Sequence, residues 1–172
     1  MVFVDMDGVL ARWDTTASLE DTYKDGYFSK REEEPKIKEL IRTLIACGHK
    51  VAILSAVYPT GTAAADKDGW LDEHGLPDVR RIFVPYGKDK HDYIPKLDEP
   101  MVLLDDFSQN LHTWEQAGHI GVKFLNGING THGTWKGCSI DRGMKVEEMY
   151  AIIASEEWRR KNENKRVQHE TQ

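Results

Sequence analysis

Residues 1–10, MVFVDMDGVL, decide how the rest of the chain is read. Met1–Val4 is a continuous apolar run without polar alternation, the pattern of a strand buried on both faces. It stops at two aspartates, Asp5 and Asp7, with Gly8 behind them. The same grammar returns in MVLLDDF at 101–107, where Met101–Leu104 stops at Asp105 and Asp106. Lys50–Leu54, Arg81–Val84 and Ile120–Leu125 are three further runs of this kind, which makes five strands.

Helical patterns lie between them. Pro35–Cys47 puts Ile37, Leu40, Ile41, Leu44 and Ile45 on one 3.6-period stripe, with Pro35 in the first turn and Gly48 as a stop. Ala63–His74 ends at Gly75, and Leu111–Ala117 ends at Gly118, in the same way. The alternation predicts right-handed βαβ units in an α/β, Rossmann-like three-layer fold with an open, mainly parallel five-stranded sheet. Asp14–Glu34 breaks the rhythm. It is rich in charge, carries Tyr23, Tyr27 and Phe28, and reads as a small helical cap insertion over the strand ends. Asn126–Gly137 reads as a loop or irregular hairpin, and Val146–Trp158 as a last helix. Residues 1–160 form one domain in this reading, and 161–172 a polar, flexible tail.

Composition narrows the function classes. With 172 residues, 40% of them hydrophobic and 30% charged, the chain is neither disordered, collagen-like nor a coiled coil. A chain of this length buries about 70% of its unfolded surface and needs no metal or disulfide staple. Lys and Arg number 23 against 29 Asp and Glu, a net charge of −6, which weighs against binding extended nucleic acid. Cys47 and Cys138 have no CxxC partner, so neither a disulfide framework nor a thiolate zinc site is expected. No basic, apolar leader precedes the first strand, and no apolar run approaches about 18 residues, so a cytoplasmic protein without a membrane partner is expected.

The chemistry lies in where the acids fall. In a parallel sheet both aspartate pairs reach the carboxyl edge, where open α/β sheets bind ligands. One pair alone would be ordinary turn or cap chemistry; two pairs at equivalent strand ends are not. Carboxylates that converge beside apolar strands repel one another unless a hard cation joins them, and few protein oxygens plus water and phosphate is the coordination of Mg²⁺. Ser55 closes the second apolar run at the same edge. Lys88 and Lys90, in VPYGKDKHDYI, stand where an ammonium could reach back to a phosphate.

Together, D-M-D-G-V, a strand ending at Ser55, a lysine ahead of the fourth strand, and L-L-D-D-F-S-Q-N resemble the four motifs of the haloacid dehalogenase superfamily. The match covers roughly residues 1–125, and its D-x-D form resembles the phosphatase branch. More finely, D-G-V-L-A-R-W, D-K-D-G-W-L-D-E-H-G-L-P and D-K-H-D-Y-I look like the 5′(3′)-deoxyribonucleotidase-like family. The resemblance implies a Mg²⁺-dependent phosphomonoesterase acting on a small phosphorylated substrate, a nucleoside monophosphate. Asp5 would be the nucleophile and Asp7 the general acid and base. Asp5, Asp105 and the backbone carbonyl of Asp7 would hold the metal, with Asp106 a further ligand through water or a partner of the lysine. Ser55 and Lys90, preferred to Lys88 because it abuts the next helix start, would bind phosphate. The short cap would leave the site open unless a second subunit in a homodimer covered it. Trp13, Tyr27 and Phe28 are the candidates to stack on a base. Other substrates stay open, namely a sugar phosphate or the 3′-phosphate of a DNA end, and so does a non-catalytic sensor. GINGTHG fits no phosphate-binding glycine fingerprint, Ser55 sits in no nucleophile elbow, and the histidines show no metalloprotease pairing.

Overall fold

The structure, a computed structural model, describes residues 1–59, 61–128 and 133–170, with backbone alone at 158 and 161–170. Among these residues the sheet has six strands, β1 (Val2–Val4), β2 (Val51–Val57), β3 (Arg80–Pro85), β4 (Val102–Asp105), β5 (Ile120–Leu125) and β6 (Cys138–Asp141), in the order β3-β2-β1-β4-β5-β6. Every neighbouring pair is parallel. Val2 lies level with both Val51 and Val102, so β1 is central and connections leave it in opposite directions. That reversal is a topological switch point, the place where such sheets leave a crevice at their carboxyl ends.

Among the described residues four α-helices cover the faces: α1 (Pro35–Ala46), α2 (Ala63–Glu73), α3 (Ser108–Gln116) and α4 (Val146–Glu170). Val2 and Val4 pack with Ile37, Leu40, Ile41 and Leu44 of α1, Trp70 and Leu71 of α2, and Met149 and Ile153 of α4. Phe3 points to the other face, against Leu111 and Trp114 of α3 and Trp135. This split follows from the two-residue period of a strand. Each fully buried Leu or Ile contributes about 1.5–3 kcal/mol, so both layers are needed to hold β1.

Four expectations need correction, the helical insertion among them. The sheet has a sixth strand, missed because Cys138–Asp141 buries only Ile140 and so makes no apolar run. Ile45 is exposed rather than on the buried stripe of α1. The last helix, expected over Val146–Trp158, runs as helical backbone to Glu170; no Gly or Pro interrupts it, and Glu, Lys, Arg and Gln favour helix. Residues 171–172 lie outside the described residues, as does the 129–132 part of the turn-rich stretch.

The insertion is not α-helical. It holds two single 3-10 turns, Asp21–Tyr23 and Phe28–Lys30. Asp14 Oδ1 accepts the Thr16 N–H at 2.9 Å and Asp21 Oδ2 accepts the Ser18 N–H at 2.8 Å, side-chain bonds that compete with helix formation. The two arms of the insertion are zipped at their base, Arg12 N–H to Glu32 O and Glu34 N–H to Leu10 O, each at 2.7 Å. Phe28 and Tyr27 then pack on Ala63 of α2, and the Trp70 indole N–H donates to Arg31 O at 2.7 Å. No helix among the described residues is long and apolar enough to cross a membrane.

Candidate active site

Asp5 follows β1 directly, and its backbone N–H donates to Leu104 O at 2.9 Å, which ties the first acid to the strand that ends in Asp105. Asp105 is fully buried. Its Oδ1 accepts the Phe107 N–H at 2.8 Å, turning the chain into α3, while Oδ2 accepts from Lys90 at 2.7 Å and Asn110 at 2.9 Å. One oxygen each of Asp5, Asp105 and Asp106 lies within 4.8 Å of the others. Gly8 makes this possible. Its φ is +77°, and a Cβ there would stand 2.3 Å from Asp106 Oδ2. Asn126, buried, donates to both Gly8 O and Asp106 Oδ2 at 2.9 Å and so joins the first acidic loop to the second.

Two lysines serve the two acids of D-x-D separately. Lys90 is buried, 2.7 Å from Asp105 Oδ2 and 2.8 Å from Asp5 Oδ1, the second contact an ion pair out of line for a hydrogen bond. Lys88 is exposed. The other is Lys67, on α2, which sequence reasoning did not select. Wholly buried, it donates to Asp7 Oδ2, to Ser55 Oγ at 3.0 Å and to Ala56 O at 2.6 Å, with its ammonium 4.5 Å from the centre of the Phe28 ring. The signal was there: Ala63, Lys67, Trp70 and Leu71 recur at i, i+4, i+7 and i+8, the buried stripe of α2.

The charge is unbalanced. Burial, reinforced by Asp105 and Asp5, pushes Asp106 well above the usual carboxylate range. Burial raises Asp105 and Asp7 as well, with Lys90 and Lys67 respectively opposing it. Burial works against the Lys90 ammonium, but Asp105 and Asp5 outweigh it and raise its pKa. A cluster of carboxylate oxygens that repel one another in a buried place fits a hard divalent cation: the donors are all oxygen, and a cation removes the repulsion.

A pocket of about 280 Å³ opens on this cluster, lined by Asp5, Asp7 and Asp106 together with Trp13, Phe28, Ala56, Tyr58, Tyr86 and Phe107. Of the expected stacking residues, Trp13 and Phe28 line it. Tyr27 does not; it is buried in the insertion beneath the Arg31 guanidinium, 4.3 Å away, and edge-on to Phe28. The sequence reading also missed Tyr58, Tyr86 and Phe107. Tyr86 and Phe107 are 63% and 62% exposed, large aromatics left in water at the mouth of the acids. Ser55 is not at a strand end. β2 runs on to Val57, Ser55 pairs with Phe83 in mid-strand, and its hydroxyl is buried behind the lining with Lys67.

No protein-family model and no curated protein matches this chain. The geometry therefore stands alone. It offers a carboxylate open to the pocket at Asp5, a second on Asp7 two residues on whose burial favours the protonated form, an oxygen cluster fit for a divalent cation, and aromatic walls.

Proposed function

We propose that this chain is a Mg²⁺-dependent phosphomonoesterase that works through an aspartyl-phosphate on Asp5, as the superfamily it resembles does, with a nucleoside monophosphate as substrate. The observation that carries this reading is the meeting of Asp5, Asp105 and Asp106 at the switch point, with Asp5, Asp7 and Asp106 lining one aromatic pocket. A carboxylate oxygen of Asp5 attacks phosphorus in line, the ester P–O bond breaks, and the Asp7 proton passes to the leaving oxygen. Asp7, now ionised, takes a proton from the water that attacks the acyl phosphate, and phosphate leaves with Asp5 restored. Lys67 holds the Asp7 carboxylate in place between the two steps. Lys90 orients Asp5 and Asp105. Asp5, Asp105 and Asp106 would hold Mg²⁺, with the Asp7 carbonyl as a further ligand, and the ion would supply positive charge to offset that on the phosphoryl group.

The aromatic walls favour a nucleotide over a sugar phosphate, since base–aromatic stacking is worth about 1–3 kcal/mol per base. Phosphate release from 5′- and 3′-nucleoside monophosphates, deoxy and ribo, compared with sugar phosphates, tests this. The reading predicts higher kcat/KM on nucleotides, with Tyr86→Ala or Phe107→Ala cutting that preference about tenfold. Equal rates on sugar phosphates, indifferent to both substitutions, would remove the nucleotide and keep the phosphatase.

A further inference from the structure

Trp13 lines a second cavity besides the acidic one. This neighbour, about 340 Å³, is formed by the base of the insertion: Arg12, Trp13 and Asp14 on one arm, Lys30, Arg31 and Glu32 on the other. Three cations face two carboxylates there, a local excess of positive charge on a chain whose net charge is −6. The acids are committed differently. Asp14 is bound by Arg31 at 2.8 Å and by the Thr16 hydroxyl at 2.6 Å, which holds its carboxyl well below the usual range and fixes Arg31 in the wall. Glu32 is 80% exposed and reaches Arg12 only at 3.4 Å. Arg12 has its other acid, Glu34, at 3.3 Å, and the Lys30 ammonium has no ion-pair partner among the described residues. Long ion pairs at an exposed guanidinium are weak and easily exchanged for a better anion. A phosphate oxygen is such an anion, because it takes charge-assisted bonds from both cation types.

We propose that this cavity takes a second phosphate of the substrate, monoester or diester, so that the preferred substrate is a nucleotide phosphorylated on two sides of its sugar. The inference rests on the phosphomonoesterase reading and extends it: Trp13 is the wall shared by both cavities, and a nucleoside lying across it carries one phosphate to Asp5 and the other to Lys30 and Arg12.

The test is binding to the Asp5→Asn protein with Mg²⁺, measured by calorimetry. The ligands are a deoxynucleoside 5′-monophosphate, the matching 3′,5′-bisphosphate and a 5′-phosphorylated dinucleotide. The bisphosphate should bind about tenfold tighter than the monophosphate, the worth of one charge-assisted hydrogen bond. Lys30→Ala and Arg12→Ala should each shrink that ratio, and Lys30→Arg should keep it. A dinucleotide as tight as the bisphosphate identifies a diester as sufficient, and a weaker one identifies a terminal phosphate. Equal binding of mono- and bisphosphate, or a ratio untouched by Lys30→Ala and Arg12→Ala, overturns the proposal. Turnover by the unsubstituted protein separates the two ideas. Tight bisphosphate binding with no hydrolysis of any ester would sink the phosphatase and leave the second cavity; monophosphate hydrolysis with no bisphosphate advantage would do the reverse.

Discussion

A lysine with no exposed surface, such as Lys67, survives burial because three acceptors surround its ammonium, one of them the Asp7 carboxylate. Removing one partner of such a pair strands the other. Lys67→Met should therefore destabilise the fold by about 3 kcal/mol, at the low end of the buried-pair range because Asp7 still meets the pocket. The double variant Lys67→Met/Asp7→Asn should recover part of that loss, and urea unfolding of both proteins checks it. Gly8 is constrained in a different way, by φ +77° and the Asp106 oxygen against it. Gly8→Ala should cost about 2 kcal/mol by the same measurement and weaken Mg²⁺ binding, because Asp106 must move aside. At this scale the four acids and Lys90 were legible, each abutting an apolar run or a helix start. Tyr86 and Phe107 were not: nothing in a loop aromatic's neighbours along the chain says that it faces a cavity.

Among the elements, the insertion depends on α2 for its position. Phe28 packs on Ala63 and lies over Lys67, and Trp70 donates to Arg31 O. Trp70→Phe removes that donor and leaves a carbonyl short of a partner, so a loss of about 1–3 kcal/mol is expected in thermal or urea unfolding. If the insertion positions the substrate, KM should rise more than kcat falls, a split that steady-state kinetics reads directly. The first five strands are legible as apolar runs bounded by charge or glycine. β6 did not, being an edge strand with one buried side chain. The insertion looked helical from its length and charge, but its Asp, Ser and Thr side chains bond their own backbone instead.

Across the whole molecule, three carboxylates share one buried edge, and their pKa values are raised above 3.8 by that burial. A carboxyl whose folded pKa is raised contributes stability fully below the unfolded value, and that contribution fades as pH climbs through the folded value. The protein in EDTA should thus lose melting temperature as pH rises above the ordinary carboxylate range. Mg²⁺ should flatten that slope, and Asp106→Asn should reduce it; a slope unchanged by both would separate these acids from any cation. The sheet order, with its reversal at β1, is what brings the pairs together; the pattern of apolar runs broken by crossover helices gives the parallel sheet but not its order. The sixth strand and the paths of the long side chains do not follow from it, since packing in three dimensions decides them.

The proposed reaction passes through a covalent phosphoryl group on Asp5. Rapid acid quench of the protein turning over a nucleoside monophosphate with Mg²⁺, followed by peptide mass spectrometry, looks for it directly. A phosphorylated peptide containing Asp5 is expected, absent in EDTA and absent from a folded Asp5→Asn protein that no longer releases phosphate. Phosphate release at an undiminished rate from Asp5→Asn would rule out the aspartyl-phosphate.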